Sequence, residues 1–206
     1  MARADNYLKQ AAQAKAWFLT YDQQALIRKL NLAHDEDYLY PVLFSTTYRL
    51  NRKTGDLERQ GKQGWEDANT HSEVMTLLDL ICDSREDRFV SGKWKDMAQF
   101  GHVFHQKLLE ERDPLAERFQ ENPEALRRGC LALRGTPMPT GDIAYAIEVF
   151  DGLPLMLQLW FGDEDFPASL RLLWDENALM YLKYETMYFA RDLLYSRLKS
   201  ELEEQV

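Results

Sequence analysis

The most strongly apolar part of the chain is the segment of residues 153–161. Its large side chains alternate along the segment, with Leu157, Leu159 and Phe161 on one face and Met156, Gln158 and Trp160 on the other. Because both faces are mostly apolar, this period of two predicts a strand in the middle of a sheet. Gly162 and Pro167 interrupt the pattern, and a second strand is predicted from there to Asp175.

The segment of residues 39–60 carries a second alternating pattern, in which one face is polar. Its strand-forming residues are Val42, Phe44, Thr46, Thr47, Tyr48 and Leu50. Arg49 and Asn51 provide the polar alternation, and the run from Lys53 to Asp56 is typical of a turn. We therefore predict a hairpin or a three-stranded meander with one face in water, nearer the edge of a sheet.

Helical spacing of apolar residues accounts for most of the remaining chain. Asn122 and Pro123 mark the start of one helix, and Gly135 marks its end. The segment of residues 84–100 is predicted to be irregular. The predicted helices cover residues 7–30, either as one straight rod or with a kink or turn near Thr20, a stretch from about Asp67 to Asp83, the surroundings of Phe104 and Leu108, residues 123–134, residues 142–150 and residues 184–203.

Together these elements predict an α+β fold. We expect one mostly antiparallel sheet, built from the meander of the N-terminal half and the two strands of the C-terminal half, and packed by several helices. A chain of 206 residues, 45% of them hydrophobic, fits a single globular domain over residues 1–206 with a sizeable core.

The net charge and the apolar runs of the chain argue against two classes of partner, nucleic acids and membranes. A formal net charge of -9 argues against a nucleic acid, because phosphate binding needs clustered Lys and Arg. The chain start lacks the apolar core of a signal peptide, and no apolar run approaches the roughly 20 residues that span a bilayer, so we predict a cytosolic protein with no membrane partner.

Cys82 and Cys130 lie in separate helical patterns without Cys-x-x-Cys spacing, and we expect both to be small buried apolar residues.

Several short motifs between Gly92 and Leu182 occur in one combination. They are Gly92-Lys93-Trp94, Leu131-Ala132-Leu133-Arg134-Gly135, Gly141-Asp142, Leu153-Pro154-Leu155, the run from Leu159 to Ser169, Trp174-Asp175, Asn177-Ala178 and Tyr181-Leu182. This combination resembles a bacterial family catalogued as domain of unknown function 3786. The resemblance implies neither an activity nor catalytic residues. Some members carry a cysteine-rich iron-sulfur segment, and this chain has none, so no redox role is carried over.

The loop between the two C-terminal-half strands contains three consecutive acidic residues. Such a cluster suits a hard cation, or a carboxylate pair for acid-base chemistry. The alternative is structural, with carboxylates that cap backbone N–H groups or pair with an arginine. The acids are Asp163, Glu164 and Asp165, with Asp175 and Glu185 nearby, and the arginines are Arg171 and Arg191.

Two further sets of residues are candidates for a site. His102 and His105 are three residues apart on a predicted helix, a spacing that can place two imidazoles on one metal, although ordinary histidines have the same spacing. The aromatic residues of the second half suit either a flat organic ligand or a core. The candidate ligand-binding residues are Asp163, Glu164, Asp165, Trp160, Trp174 and Arg191.

We predict a cytosolic small-ligand-binding or accessory module with its site near the loop from Gly162 to Pro167. Two alternatives stay open. One is a metal-assisted enzyme that uses Asp163, Glu164 and Asp165. The other is a structural interaction protein whose long terminal helices bind a protein partner or form a homodimer. The sequence identifies no cofactor.

Overall fold

The structure of the chain is a computed structural model that describes residues 2–101 and 114–203, with side chains for residues 5–101 and 115–203. The chain divides into two compact units, which are described separately. Unit 1 comprises Met1–Arg88 and Met180–Leu193, and unit 2 comprises Phe89–Leu179 and Leu194–Val206.

The helices are numbered in chain order, as are the strands. The helices are α1 (Ala2–Phe18), α2 (Gln23–Leu30), α3 (His71–Asp83), α4 (Pro114–Glu121), α5 (Pro123–Ala132) and α6 (Tyr184–Glu203). The strands are β1 (Ala33–His34), β2 (Tyr38–Tyr40), β3 (Val42–Leu43), β4 (Thr46–Asn51), β5 (Leu57–Gly61), β6 (Gly64–Asp67), β7 (Trp94–Asp96), β8 (Thr136–Pro137), β9 (Ile143–Phe150), β10 (Leu153–Trp160) and β11 (Ser169–Asp175).

In unit 1 the chain turns between α1 and α2. Asp22 caps α2, because its Oδ1 accepts hydrogen bonds from the backbone N–H groups of Gln24 at 2.9 Å and Ala25 at 3.1 Å. Asn31 ends α2 in a left-handed conformation with a φ of 47°. Of the two alternatives for residues 7–30, the structure shows the turn near Thr20 and not the straight rod.

The strands of unit 1 form an antiparallel sheet in the order β1-β2-β4-β5-β6, with β3 also paired to β4. The meander predicted for residues 39–60 is confirmed. Tyr48 and Leu50 of β4 are buried while Arg49 between them is only half-buried, as the predicted alternation requires. Helix α3 begins at Thr70, whose Oγ1 accepts the N–H of Glu73 at 3.3 Å, and it packs against α1.

The strands of unit 2 form a second antiparallel sheet in the order β7-β11-β10-β9-β8. Strand β10 lies in its middle, as its two apolar faces predict, and six of its eight residues are buried. Helix α5 begins as predicted, with Asn122 Oδ1 accepting the N–H of Ala125 at 3.2 Å and Pro123 in the first turn. The N–H of Gly135 donates to the carbonyl of Cys130 at 2.8 Å and closes its C-terminus.

The helix predicted for residues 142–150 is wrong, because this segment is strand β9. Ile143, Ile147 and Phe150 fit a helical spacing, but in a strand Ile143 and Ile147 share one face and Phe150 lies on the other, and both faces of β9 are largely buried. Asp151 and Gly152 connect β9 to β10 as a two-residue loop with φ values of 50° and 79°. Asp-Gly between two apolar runs is a strong hairpin signal, and it decides between the two structures.

The α+β class is confirmed, with antiparallel pairing in every described sheet. The expectation of one sheet is wrong, because the strands of the two halves form two sheets. Strand β9 supplies the second neighbour of β10, so the meander is not needed to cover that edge. None of the helices that the structure describes combines the length and the apolar character of a transmembrane span.

Candidate functional site

The predicted acidic corner is an exposed loop that Asp163 organises. Asp163 Oδ1 accepts the backbone N–H groups of Asp165 at 2.9 Å and Phe166 at 2.8 Å, and its own N–H donates to the Phe166 carbonyl. Glu164 and Asp165 are exposed. Asp163 therefore caps a turn, which is the structural alternative weighed for this cluster.

The two tryptophans predicted for this site lie at different places in the sheet of unit 2. Trp160 is opposite Ser169 and 43% exposed, whereas Trp174 is opposite Leu155 and fully buried. The five ladder positions between these pairs correspond to about 16 Å along the strands. The two indole rings therefore do not line one small site.

Arg171 and Arg191 form ion pairs with acids outside the acidic corner. Arg171 lies 3.3 Å from Asp96, and Arg191 of unit 1 lies 3.0 Å from Asp192 with its guanidinium 5.5 Å from the Tyr188 ring centroid. Asp175 is buried, and its carboxylate accepts N–H groups from residues 91, 92 and 177, which makes it the organiser of a buried turn network.

The described part of the chain contains no group of three or more His, Cys, Asp or Glu that could hold a metal ion. His102 and His105, the weak metal candidates, lie outside the described residues, as does the helix predicted around Phe104 and Leu108. The predicted metal site therefore stays a prediction.

A different site lies in unit 1, where α1, α3 and the start of α6 line a half-open cavity of about 310 Å³. This volume is at the lower end of the range of small-ligand pockets, about 300–1,000 Å³. The apolar part of its wall consists of Ala14, Trp17, Met75, Leu78 and Phe189, and the polar part of Gln10, Gln13, Tyr21, Asp79, Cys82, Asp83, Lys183, Glu185 and Thr186.

Asp79 and Asp83 share one face of α3, because residues four apart on a helix are neighbours. Lys183 joins them. Its Nζ lies 2.9 Å from Asp79 Oδ1 and donates to Asp83 Oδ2, while its backbone N–H donates to Asp79 Oδ2 at 2.8 Å. Tyr21 completes the cluster, since its hydroxyl donates to Asp83 Oδ1 at 2.9 Å.

The two carboxyl groups of the cluster have pKa values that are shifted in opposite directions. Burial raises the pKa of Asp79, whose side chain is only 4% exposed, against the lowering effect of Lys183. Burial also acts to raise the pKa of Asp83, but hydrogen bonds with Lys183, Asp79 and Tyr21 outweigh it and the pKa is lowered. Asp79 is thus the carboxyl group that more readily keeps a proton.

The Tyr21 hydroxyl and the Cys82 thiol at this wall are held in their ordinary protonated forms. Burial raises the pKa of Tyr21 to about 12, with a contribution from its hydrogen bond to Asp83. Burial raises the pKa of the Cys82 thiol to about 12 as well. Because a thiolate is the nucleophilic form, Cys82 is a poor candidate for covalent catalysis at neutral pH.

Sequence reasoning missed Tyr21, Asp79, Asp83 and Lys183. One local signal was present, because two acids four apart on an otherwise apolar helix are unusual on a core-facing side. The decisive contact is not local, since Lys183 and Asp79 are 104 positions apart in the sequence.

A model of one protein family, described as Domain of unknown function (DUF3786), matches residues 22–197 of the chain. The chain belongs to the DUF3786 family. The matched part of this DUF3786 chain includes Asp79, Asp83 and Lys183, whereas the wall that α1 contributes lies before it. No curated protein and no solved structure matches the chain.

Proposed function

We propose that this DUF3786 chain is a small-ligand-binding module whose site is the cavity of unit 1. The observation that carries the proposal is the buried carboxyl group of Asp79 in a wall that also contains the apolar side chains of Trp17, Leu78 and Phe189. Pockets for small molecules typically combine apolar walls with a few placed polar groups. The Trp17 side chain, 60% exposed at the same wall, offers a ligand an accessible aromatic surface.

We prefer the cavity to the predicted loop from Gly162 to Pro167 because a ligand must be taken out of water to be held tightly. The three acids of that loop are exposed, and Asp163 already receives two backbone N–H groups. The roles of metal-assisted enzyme and of structural interaction protein stay predictions.

The test fills the cavity and measures binding of a neutral aromatic probe. Ala14 lines the cavity on α1, and Ala16 on the same helix is exposed. With benzyl alcohol as the probe, saturation-transfer NMR should give a signal for the unchanged chain and for Ala16→Trp, and little or none for Ala14→Trp. An equal signal from the two variants would mean that the cavity is not the binding site.

Native mass spectrometry of the gently purified chain provides a second measurement. A mass adduct that survives in Ala16→Trp and disappears in Ala14→Trp would identify the natural ligand of the cavity. An adduct that both variants retain would locate the ligand elsewhere.

A further inference from the structure

The charges at the cavity wall are unbalanced. Among the described residues that line it, Asp79, Asp83 and Glu185 carry carboxyl groups, whereas Lys183 carries the one ammonium. A negatively charged ligand would meet Asp83 and Glu185 at close range, and like charges within a partly enclosed site are unfavourable. A positively charged ligand would be attracted by the same carboxyl groups.

One buried acceptor at this wall can take a further donor. Asp79 Oδ1 has Lys183 Nζ 2.9 Å away as its ion-pair partner, and a carboxylate oxygen, which has two lone pairs, can accept a second donor. A buried carboxylate oxygen is stabilised by an additional donor. A ligand with N–H groups can supply that donor from the cavity.

Lys183 itself shows which group suits the two carboxylates. Its ammonium bridges Asp79 and Asp83, yet its side chain is 59% exposed and stands on a flexible stem. A second ammonium that enters from the cavity can therefore share or take over these contacts while Lys183 moves into water.

The aromatic walls favour the same class of ligand. Trp17, Tyr21 and Phe189 line the cavity together with the carboxyl groups. Aromatic faces attract cations, and they also pack well against an apolar ligand body.

We propose that the cavity recognises small organic cations, in which a primary ammonium on an aromatic or apolar body donates to Asp79 and Asp83. This inference rests on the proposed function and adds the chemical class of the ligand. Lys183 then acts as an internal ammonium that keeps the two carboxylates in place when no ligand is bound.

The test compares three probes of similar shape and different charge. At pH 7, benzylamine should bind about tenfold or more tightly than benzyl alcohol, since a hydrogen bond between charged groups is stronger than one between neutral groups. Phenylacetate should bind most weakly. Dissociation constants come from NMR titration of the unchanged chain at low salt.

Two variants test the roles of the charged side chains. Asp83→Asn, at a side chain that is 35% exposed, should reduce the ratio of the benzylamine affinity to the benzyl alcohol affinity by about tenfold. Lys183→Gln removes the competing ammonium and should strengthen benzylamine binding. Glu164→Gln, at an exposed acid of unit 2, is the control and should change neither affinity.

Different experimental results would contradict the cationic class of ligand and the cavity as the binding site. Equal affinities for all three probes, or tightest binding of phenylacetate, would overturn the cationic class, and the second result would indicate an anion held by Lys183. If benzyl alcohol still binds to Ala14→Trp, the cavity itself is the wrong site and the proposed function fails first.

Discussion

Asp79 and Asp83 lie one helical turn apart on α3, yet the pKa of the first is raised and that of the second is lowered. Burial acts to raise both pKa values, but Asp83 is 35% exposed against 4% for Asp79, and its hydrogen bonds outweigh the smaller burial effect. Two adjacent carboxyl groups with separated pKa values are a common arrangement at functional sites, although structural networks also produce them.

These opposite shifts predict opposite pH dependences of stability. A raised pKa means that the contribution of Asp79 is present below its unfolded pKa and is lost as the pH rises through the folded value. The lowered pKa of Asp83 means that its contribution is present above the unfolded pKa and is lost as the pH falls through the folded value. The change in stability that results from substituting Asp79 should therefore depend on pH with the opposite sign to the change that results from substituting Asp83.

We expect the free energy of unfolding of Asp79→Asn, relative to that of the unchanged chain, to increase as the pH rises from 3 to 7. The relative free energy of unfolding of Asp83→Asn should decrease over the same range. Urea unfolding at several pH values measures both. Parallel pH profiles for the two variants would contradict the assigned pKa shifts.

At the scale of elements, the loop after β10 depends on a glycine through close packing. A Cβ atom at Gly162 would lie 2.4 Å from the backbone nitrogen of Ala168 and 2.8 Å from the Phe166 carbonyl oxygen. Backbone atoms cannot move aside without opening the loop that Asp163 closes. Gly129 in α5 is a useful contrast, because its nearest atom is the mobile end of the Leu198 side chain, at 2.8 Å.

Gly162→Ala should therefore lower the free energy of unfolding by about 2–3 kcal/mol, as overpacking against a fixed backbone does. Gly129→Ala should change it by less than about 1 kcal/mol, because the gain in helix propensity offsets the small side-chain adjustment. Urea unfolding of both variants is the measurement. A smaller loss for Gly162→Ala than for Gly129→Ala would mean that the loop is loosely packed.

Local signals explain which elements the sequence predicts correctly. Asp22 and Asn122 cap helices through contacts with residues two or three positions away, so the chain itself contains the whole signal. Strand β9 was mistaken for a helix because apolar residues on both faces of a strand also fit a helical spacing. The Asp151-Gly152 turn would have resolved the ambiguity, since only a hairpin needs two consecutive positive φ values there.

At the scale of the whole molecule, neither compact unit is a continuous piece of chain. Unit 1 requires Met180–Leu193 from the C-terminal part, and unit 2 requires Leu194–Val206. Both segments belong largely to α6. A chain that ends at Leu179 would lack Lys183 and every side chain that α6 contributes to the two cores.

We therefore expect the two units to unfold in a single cooperative transition, as the predicted single domain requires. Urea unfolding followed by tryptophan fluorescence and by far-UV circular dichroism should give the same midpoint. Gly162→Ala, a change in unit 2, should shift both midpoints equally. Two separate transitions, with only one of them shifted by Gly162→Ala, would show that the units unfold independently.

The sequence by itself determined the α+β class, the central position of β10, the caps of two helices and the membership of the DUF3786 family. These properties depend on periodicity and on contacts between near neighbours, which any window of the chain contains. The candidate site was decided only by the tertiary structure. Periodicity tells which face of an element is buried, but not which other element covers it, and the bridge from Lys183 to Asp79 and Asp83 spans about one hundred residues.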